Sequence, residues 1–482
     1  MLKQKIDQRI LLINPPEIIG NGLNSPPLAL LYLAGTLKKH HIKVKIVDGL
    51  LCGWKGIKQE IKKNRPTVVG TTSLTVSRLK SYKVLKLAKE INPTITTILG
   101  GVHATLLHSQ IIDNYPFIDI VVRGEGERTL LQIVQGIALE NIAGITYRKN
   151  NQTIINRPQK YFENLDEIPF PAWDLIDLTK YPALPVFVTS YNGIDTKKVP
   201  LIQVIFSRGC PGRCNFCSTW TIWRGWRGRS GQNMADEIEI LYTKHKMRHF
   251  IFADDCMTVN KKETINFCNE IIRRKLKIAF SVQTRTDQIT LEILKKLKQA
   301  GCYGISYGIE SGSEKILQLM DKNNSLKKNE TAILLSKKAG LLVNAEMITG
   351  AFGETISTLN QTIRFLRKTE PDFVITLGGL WVLPETKIYH HLKKLGEIND
   401  DYWLKNNKPM VYLGHFTDRQ IRYFKLNVER RQLIDPHKQP WNSFSFLTFY
   451  YADKLARSNF NLINLLRKFY APINQFAQKI IN

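Results

Sequence analysis

The chain has 482 residues, which is enough for two or three domains that each bury a core of their own. Its hydrophobic content of 43%, with no apolar run of eighteen residues and no signal peptide at the start, predicts a cytoplasmic protein without a membrane span. The odd number of cysteines, seven, differs from a secreted disulfide framework, and the net charge of +28 is spread along the chain rather than gathered into a nucleic-acid-binding surface.

Residues 9–146 alternate short apolar runs with amphipathic segments, beginning at RILLINPP and ending at IDIVVRGEGE. This alternation predicts an α/β domain with a doubly wound parallel sheet, which binds ligands at the carboxyl ends of its strands. Small or polar residues stand at those predicted ends, namely Ser73, Thr75, Gly100, Gly101, His103, Gly124 and Glu125. They indicate a groove for a bulky ligand, although each glycine alone could simply form a tight turn.

Hydroxyl residues after the third strand, Gly-Gly after the fourth and Gly-Glu-Gly after the fifth resemble the cobalamin-binding domain. The resemblance implies that the seven residues just named contact cobalamin. It also implies a cobalt without a histidine ligand from the protein, because no Asp-x-His-x-x-Gly signature follows the first strand. DGLLCG has similar spacing but carries Leu50 in the histidine position and follows the second strand. His103 could approach the corrin or have a capping or surface role.

A connector is predicted between residues 147 and 199, where the periodicity fades and Pro, Asp and aromatic residues are frequent. Phe162, Phe170, Trp173 and Tyr181 favour an ordered segment that wraps one domain onto the next. A flexible linker is the alternative, but a solvated tether rarely carries so many aromatic side chains.

Three cysteines, Cys210, Cys214 and Cys217, follow the apolar run LIQVIF with the spacing C-x3-C-x2-C. Three thiolates on one tight loop can hold a [4Fe-4S] cluster and leave one iron open. Structural zinc needs four ligands, and no fourth Cys or His stands nearby in the sequence before His245. The spacing therefore favours the cluster over zinc.

This loop, with Phe216 directly before the third cysteine, resembles the radical S-adenosylmethionine (SAM) superfamily. Apolar runs alternate with helical segments over residues 200–412, as a partial (β/α) barrel requires. The resemblance implies that the open iron binds SAM, and that Phe216, Arg285, Glu310 and Ser311 contribute to the SAM site. A helix-capping role for Ser311 stays open. Of the adjacent carboxylates Asp254 and Asp255, at most one can point into the site.

The segment CSTWTIWRGWRGRS is similar to anaerobic magnesium-protoporphyrin monomethyl ester cyclases and their relatives. The combined resemblance implies a cobalamin-dependent radical SAM enzyme that methylates or oxidatively cyclises a small molecule, reduced by a low-potential donor such as flavodoxin or ferredoxin. A tRNA methylthiotransferase and a non-enzymatic cobalamin or redox sensor are the alternatives. The first lacks the expected extra cysteines before residue 150, and the second leaves the barrel unexplained.

The C-terminal region, residues 413–482, is basic and rich in aromatic residues. An amphipathic pattern of this kind predicts helices that pack on the barrel. Peripheral contact with a membrane or a lipidic substrate is the alternative, since basic and aromatic residues together also favour membrane surfaces.

Overall fold

The computed structural model describes residues 9–16, 25–184, 187–407 and 410–434. The first domain is an α/β unit of seven strands and six helices among these residues. Its elements are β1 (Ile10–Asn14), α1 (Leu28–Lys39), β2 (Val44–Asp48), α2 (Gly49–Asn64), β3 (Val68–Thr72), α3 (Arg78–Ile91), β4 (Thr96–Gly100), α4 (Val102–Leu106), α5 (His108–Asn114), β5 (Ile120–Val122), α6 (Gly126–Val134), β6 (Ile145–Lys149) and β7 (Gln152–Ile155).

The sheet of this domain has the strand order β2-β1-β3-β4-β5-β6-β7. The first five strands are parallel, and β6 and β7 extend the sheet as antiparallel strands. Successive strand residues enter opposite cores: Ile10 and Leu12 join one cluster, whereas Leu11 and Ile13 join the other. Burial on both faces explains why the sequence shows a continuous apolar run here.

The connector begins later than the sequence indicated. β6 and β7 belong to the first sheet, so the domain continues to Ile155 rather than ending at residue 146. Beyond it, Phe162, Trp173 and Tyr181 are 7%, 2% and 3% exposed, and short 3-10 turns replace long elements. The connector is therefore ordered by burial of its aromatic residues, as the sequence predicted.

The second domain starts with the small hairpin β8 (Ser190–Tyr191) and β9 (Ile194–Asp195), followed by a partial barrel. Its elements are β10 (Leu201–Val204), β11 (Ser207–Gly209), α7 (Thr219–Trp223), β12 (Trp226–Gly228), α8 (Gly231–Thr243), β13 (His249–Phe252), α9 (Lys261–Arg273), β14 (Ala279–Thr284), α10 (Leu291–Gln299), β15 (Cys302–Glu310), α11 (Glu314–Leu319), α12 (Leu326–Lys338), β16 (Leu342–Thr349), α13 (Ile356–Thr369) and β17 (Phe373–Gly378). Six parallel strands form the barrel sheet in the order β10-β13-β14-β15-β16-β17. Helices cover its outer face, where Phe250, Phe252, Phe267 and Phe280 pack together.

The described chain ends with β18 (Leu380–Val382), α14 (Lys387–Lys394), α15 (Tyr402–Lys405), β19 (Met410–Tyr412) and α16 (Asp418–Arg430). α16 packs on β17, where Ile421 and Phe424 join the core, so this helix does cap the barrel. The rest of the predicted C-terminal region, residues 435–482, lies outside the described residues. Within the described ranges, no helix is both long enough and apolar enough to cross a membrane.

Candidate functional site

A cavity of about 440 Å³ lies where the carboxyl ends of the two sheets face each other. The first domain lines it with glycines, hydroxyl groups and aliphatic side chains such as Leu12, Leu30 and Ile98, and the barrel adds polar and aromatic groups beside Ile205 and Ile222. Its walls include Thr71, Thr72, Gly100, Gly101, Gly124, Glu125, Ser207, Arg208, Trp223 and Asp255. The arrangement brings both sets of strand ends to one space, as two ligand-binding sheets with a common substrate require.

The wall formed by the first domain fits a large, flat cofactor with a tail. A Cβ atom placed on Gly100 would meet no other atom closer than Thr71 O at 4.0 Å, so the glycine leaves open space. Gly101 has φ +95°, and a Cβ there would lie 2.5 Å from Thr72 Oγ1, so only glycine fits. The buried Thr71 Oγ1 has no hydrogen-bond partner among the described residues and can bond a ligand in the cavity.

Three residues predicted at this site do not line the cavity. Ser73 is fully buried and donates its N–H to Gly100 O at 2.9 Å. Thr75 contacts Nδ1 of His103 at 3.2 Å, and that histidine is 1% exposed between Tyr82 and Trp403. These side chains pack beneath the strand ends and do not contact the cavity.

Burial lowers the pKa of His103 to about 3, with a smaller contribution from Arg78, so its imidazole is neutral at physiological pH. The ring is enclosed by protein on the side away from the cavity. His103 is not among the residues that line the cavity, in keeping with the missing histidine signature after β1, and a cobalt without a protein histidine stays a prediction.

Glu125 lines the cavity but is mainly an anchor between the domains. Its carboxylate accepts hydrogen bonds from Arg208 at 2.8 Å, Arg227 at 3.0 Å and the N–H of Phe162 at 2.7 Å. Arg208 also bonds Glu127 at 2.6 Å. These groups are almost completely removed from water and form an interdomain ion-pair network, while the contact of Glu125 with cobalamin stays a prediction.

The cluster loop, residues 210–217, follows β11 and is fastened to the barrel by its backbone. Asn215 donates its N–H to Met320 O at 3.0 Å, and its carbonyl accepts the N–H of Ile388 at 3.1 Å. Phe216 is half-buried against the apolar cluster that includes Ile316 and Met320. Phe216 therefore braces the loop, and the three cysteines are held on a short, fixed turn.

The three thiols are partly accessible and free. A hydrogen bond with Cys256 and burial raise the pKa of Cys210, and burial raises the pKa of Cys217 to about 11. Thiols in such surroundings need a metal to become thiolates. Among the described residues, no three Cys, His, Asp or Glu side chains are grouped closely enough to hold a single ion, whereas in a [4Fe-4S] cluster each cysteine bonds a different iron.

Charged residues surround the loop on its barrel side. Arg285 forms a double ion pair with Asp287 at 2.8 and 3.0 Å, beside Pro211 and Gly212 in a second cavity of about 400 Å³. Glu310, with φ +67°, pairs with Lys322 at 2.7 Å. Lys322 is 6% exposed and was not found from the sequence, because nothing in its local pattern separates it from the many surface lysines.

Other predicted residues have structural roles. Ser311 is fully buried and contacts Thr362 Oγ1 at 3.2 Å, so its side chain does not reach the cavity as described. Asp254 is 2% exposed and binds the N–H of Phe206 at 3.1 Å, while Asp255 lines the cavity. Only one of the two aspartates faces the site, but both lie in the loop after β13, which ends at Phe252, so strand alternation is not the cause.

The fold and the cluster loop define a class of enzyme, the radical SAM enzymes that carry a cobalamin-binding domain. The B12 binding domain model matches residues 21–134, and the radical SAM superfamily model matches residues 204–366. The chain belongs to this family. It uses a [4Fe-4S] cluster, S-adenosylmethionine and cobalamin, acts on a small molecule and needs a reductant.

Similar proteins agree with this assignment. An uncharacterized methyltransferase of Pyrococcus horikoshii is 32% identical over 86% of this chain and 90% of its own length. An anaerobic magnesium-protoporphyrin IX monomethyl ester cyclase of Rubrivivax gelatinosus is 34% identical over 76% of this chain, which spans 66% of the cyclase. The structure of the cobalamin-dependent S-adenosylmethionine radical enzyme OxsB, with aqua-cobalamin and S-adenosylmethionine bound, covers 87% of this chain with TM-score 0.71 and 18% identity; 66% of OxsB is matched.

These findings decide between the three hypotheses drawn from the sequence. The B12 binding domain match occupies the region where a tRNA methylthiotransferase would carry a second set of cluster cysteines. The barrel with its cluster loop belongs to an enzyme superfamily, so a purely sensory role is not supported. The main hypothesis, a cobalamin-dependent radical SAM enzyme, is confirmed.

Proposed function

We propose that the enzyme transfers a methyl group to an unactivated carbon of a small molecule in the cavity between the two domains. When bound, the cluster and S-adenosylmethionine supply a hydrogen-abstracting radical, and cobalamin supplies the methyl group. The observation that carries the proposal is the shared cavity, which Gly100 and Gly101 line from one domain and Arg208 and Asp255 from the other. The substrate carbon must lie between two cofactors, and this geometry allows it.

The chain's own residues have distinct tasks in this proposal. Cys210, Cys214 and Cys217 hold the cluster, while Thr71 and the glycine-rich strand ends receive cobalamin. Arg285 and Glu310 stand beside the cluster loop, where charged groups can orient the polar parts of S-adenosylmethionine. Arg208 and Arg227 bind the first domain to the barrel through Glu125, which keeps the two domains at a fixed separation.

Methylation is favoured over cyclisation by the extent of similarity. The Pyrococcus protein, named as a methyltransferase, matches this chain over nearly the full length of both, whereas the chain spans two thirds or less of two cyclases. Oxidative cyclisation remains the second candidate because the Rubrivivax cyclase is 34% identical to this chain. A low-potential donor such as flavodoxin or ferredoxin belongs to the same proposal because the cluster must be reduced. A cytoplasmic location belongs to it because the seven cysteines form no disulfide, as in a reducing compartment.

The test is anaerobic incubation of the reconstituted enzyme with S-adenosylmethionine and a strong reductant. Formation of 5′-deoxyadenosine together with S-adenosylhomocysteine supports methyl transfer, because methylation of the reduced cobalamin releases S-adenosylhomocysteine. Deoxyadenosine alone favours the cyclase-like reaction. The matched control is the Cys214→Ala, Cys217→Ala variant, which should form no deoxyadenosine.

A further inference from the structure

The last barrel strand, β17, has two faces of different character. α16 covers one face, where Thr376 is 1% exposed and a Cβ on Gly378 would lie 3.5 Å from Ile421. Ile375 and Leu377 alternate with these residues and therefore point to the opposite face. They are 41% and 43% exposed, which is unusual for large aliphatic side chains on a strand.

This opposite face is the interior of the barrel. Ile375 is the register partner of Glu346 on β16, and residues paired across parallel strands lie on the same face of a sheet. Glu346 accepts a hydrogen bond at 3.1 Å from Gln283 on β14, which places its carboxylate in the interior. The two exposed aliphatic side chains thus continue the interior wall at its open edge, because β17 is the terminal strand of the described sheet.

The interior wall on β14 and β16 is mainly polar, although Ile348, the register partner of Leu377, adds to the apolar part. Gln283, Asn344 and Glu346 line it from β14 and β16, and Asn344 donates to Ser306 of β15 at 3.2 Å. Asn344 is 2% exposed, and its Oδ1 has no hydrogen-bond partner among the described residues. An unpaired amide oxygen buried in this wall is costly unless a ligand supplies a donor. The barrel interior is therefore polar on one side and apolar on the other.

Two cations beside the cluster loop, Arg285 and Lys322, do not complement a phosphorylated substrate. Arg285 is paired with Asp287, and Lys322 is paired with Glu310, so neither presents an unneutralised charge to the interior. A phosphate or nucleotide group bound by Arg285 or Lys322 would have to break one of these buried pairs, which is unfavourable. An uncharged molecule avoids this cost.

We propose that the substrate carries an extended apolar part that docks on Ile375 and Leu377, the apolar stripe of β17. This inference rests on the proposed function and specifies its substrate class: a largely uncharged molecule with a hydrocarbon or flat apolar face. Leu377 lies one residue before the carboxyl end of β17, at the same end of the barrel as the cluster loop. An apolar body on the stripe would therefore extend towards the cofactors, while polar groups meet the wall formed by Asn344 and Glu346.

The test measures binding of N-phenyl-1-naphthylamine, a fluorescent apolar probe, to the enzyme loaded with cobalamin and cluster. The probe is uncharged, so the net charge of +28 does not attract it. The variant Ile375→Thr, Leu377→Thr keeps some strand preference but removes apolar surface. The matched control is Ile272→Thr, Leu334→Thr, which changes the same residue types at 41% and 49% exposure on the outer helices α9 and α12.

We expect the dissociation constant of the probe to rise about tenfold in the stripe variant and to stay unchanged in the control variant. An unchanged constant in the stripe variant overturns the inference. So does a melting temperature well below that of the control, which would show that another part of the chain covers the stripe. Loss of a dimer in the stripe variant, measured by sedimentation, would instead assign the stripe to a second copy.

Probe binding is read without turnover, so its result is separate from the proposed methyl transfer. If the wild-type enzyme forms no 5′-deoxyadenosine yet binds the probe on the stripe, the proposed function fails and the apolar site stands. If it forms deoxyadenosine but the stripe variant binds the probe normally, the apolar site fails alone.

Discussion

The two walls of the interdomain cavity use different chemistry. The first domain presents glycines, hydroxyl groups and aliphatic side chains, such as Gly100, Thr71 and Leu12, so its contribution is mainly shape and apolar surface. The barrel presents Arg208, Trp223 and Asp255, and its cluster loop contributes Pro211, Gly212 and Arg213 to the second cavity. A large preformed cofactor needs space and a few hydrogen bonds, whereas a cluster needs specific side-chain ligands. Substitutions in the barrel should therefore act by removing ligands of the cluster. Substitutions in the first domain should act by filling the space that cobalamin needs.

The largest effect is expected from removal of the cluster ligands in the barrel. Replacing Cys214 and Cys217 together by Ala should reduce iron from about four atoms per chain to nearly none, because one remaining thiolate cannot hold a cluster. Iron analysis and the visible absorption of the anaerobically reconstituted protein measure this. Cobalamin binding should survive in the same variant, since its wall lies in the other domain.

Cys268 provides the control for this prediction. It is fully buried in the barrel core away from the loop, so Cys268→Ser should keep the cluster. Cys256 is a more stringent control, because its thiol is hydrogen-bonded to the predicted ligand Cys210 and lies 3.2 Å from Thr284 Oγ1. We expect Cys256→Ser to retain about four irons per chain. Iron retained after the loss of Cys214 and Cys217, but lost with Cys256, would contradict the assigned ligand set.

The next largest effect is expected for the ion-pair network between the two domains. Glu125→Gln should lower the free energy of unfolding by about 3 kcal/mol, because it removes the charge that neutralises buried Arg208 and Arg227. Urea denaturation at neutral pH measures the loss. Glu167→Gln is the control: its partner Arg128 is solvent-exposed, so the change should be below about 0.5 kcal/mol. Equal effects of the two substitutions would show that the buried network does not hold the domains together.

Behind the first wall, His103 should make stability depend on pH. Its pKa is about 3 in the folded protein and near 6.5 when unfolded, so the unfolded state binds the proton first as pH falls. The neutral His103 ring contributes its full share of the free energy of unfolding above about pH 6.5. This free energy should fall by about 2 kcal/mol between pH 7 and pH 5. The variant His103→Ala should lack this part of the slope in urea unfolding experiments at several pH values.

The same variant tests the cobalt ligand. His103→Ala should leave the absorption spectrum of bound cobalamin unchanged and base-off, because the ring is enclosed on the far side of the strand ends. A shifted cobalt spectrum at neutral pH would mean that His103 moves into the cavity when the cofactor binds.

The smallest effect is expected from adding one methyl group to the first domain's side of the cavity. Gly100→Ala should weaken cobalamin binding about tenfold, since the added Cβ meets no protein atom closer than 4.0 Å and projects into the cavity. Gly136→Ala is the control. Gly136 has φ +74° with nothing near its Cβ, so the change should cost some stability but leave cobalamin affinity unaltered. Equal cobalamin affinity in both variants would place the cofactor elsewhere.

The sequence predicted the alternating elements well because burial on both faces leaves a clear apolar pattern. It placed the first domain boundary at residue 146, yet β6 and β7 add antiparallel strands through Ile155. These two short strands are less apolar than β1 to β5, and Gln152, Thr153 and Arg148 resemble loop residues in composition. An edge strand needs fewer apolar residues, so its sequence signal is weak.

The sequence by itself determined the order of the two domains, the three-cysteine spacing and the small residues at the strand ends. These are local properties, fixed by which residues are apolar, which bind metal and which tolerate a tight turn. Only the tertiary structure decided that Glu125 joins the domains, that Ser73, Ser311 and His103 are buried outside the cavity lining, and that Lys322 pairs with Glu310. The physical reason is that side-chain direction and ion pairing depend on partners brought together from distant parts of the chain, and no local pattern records them.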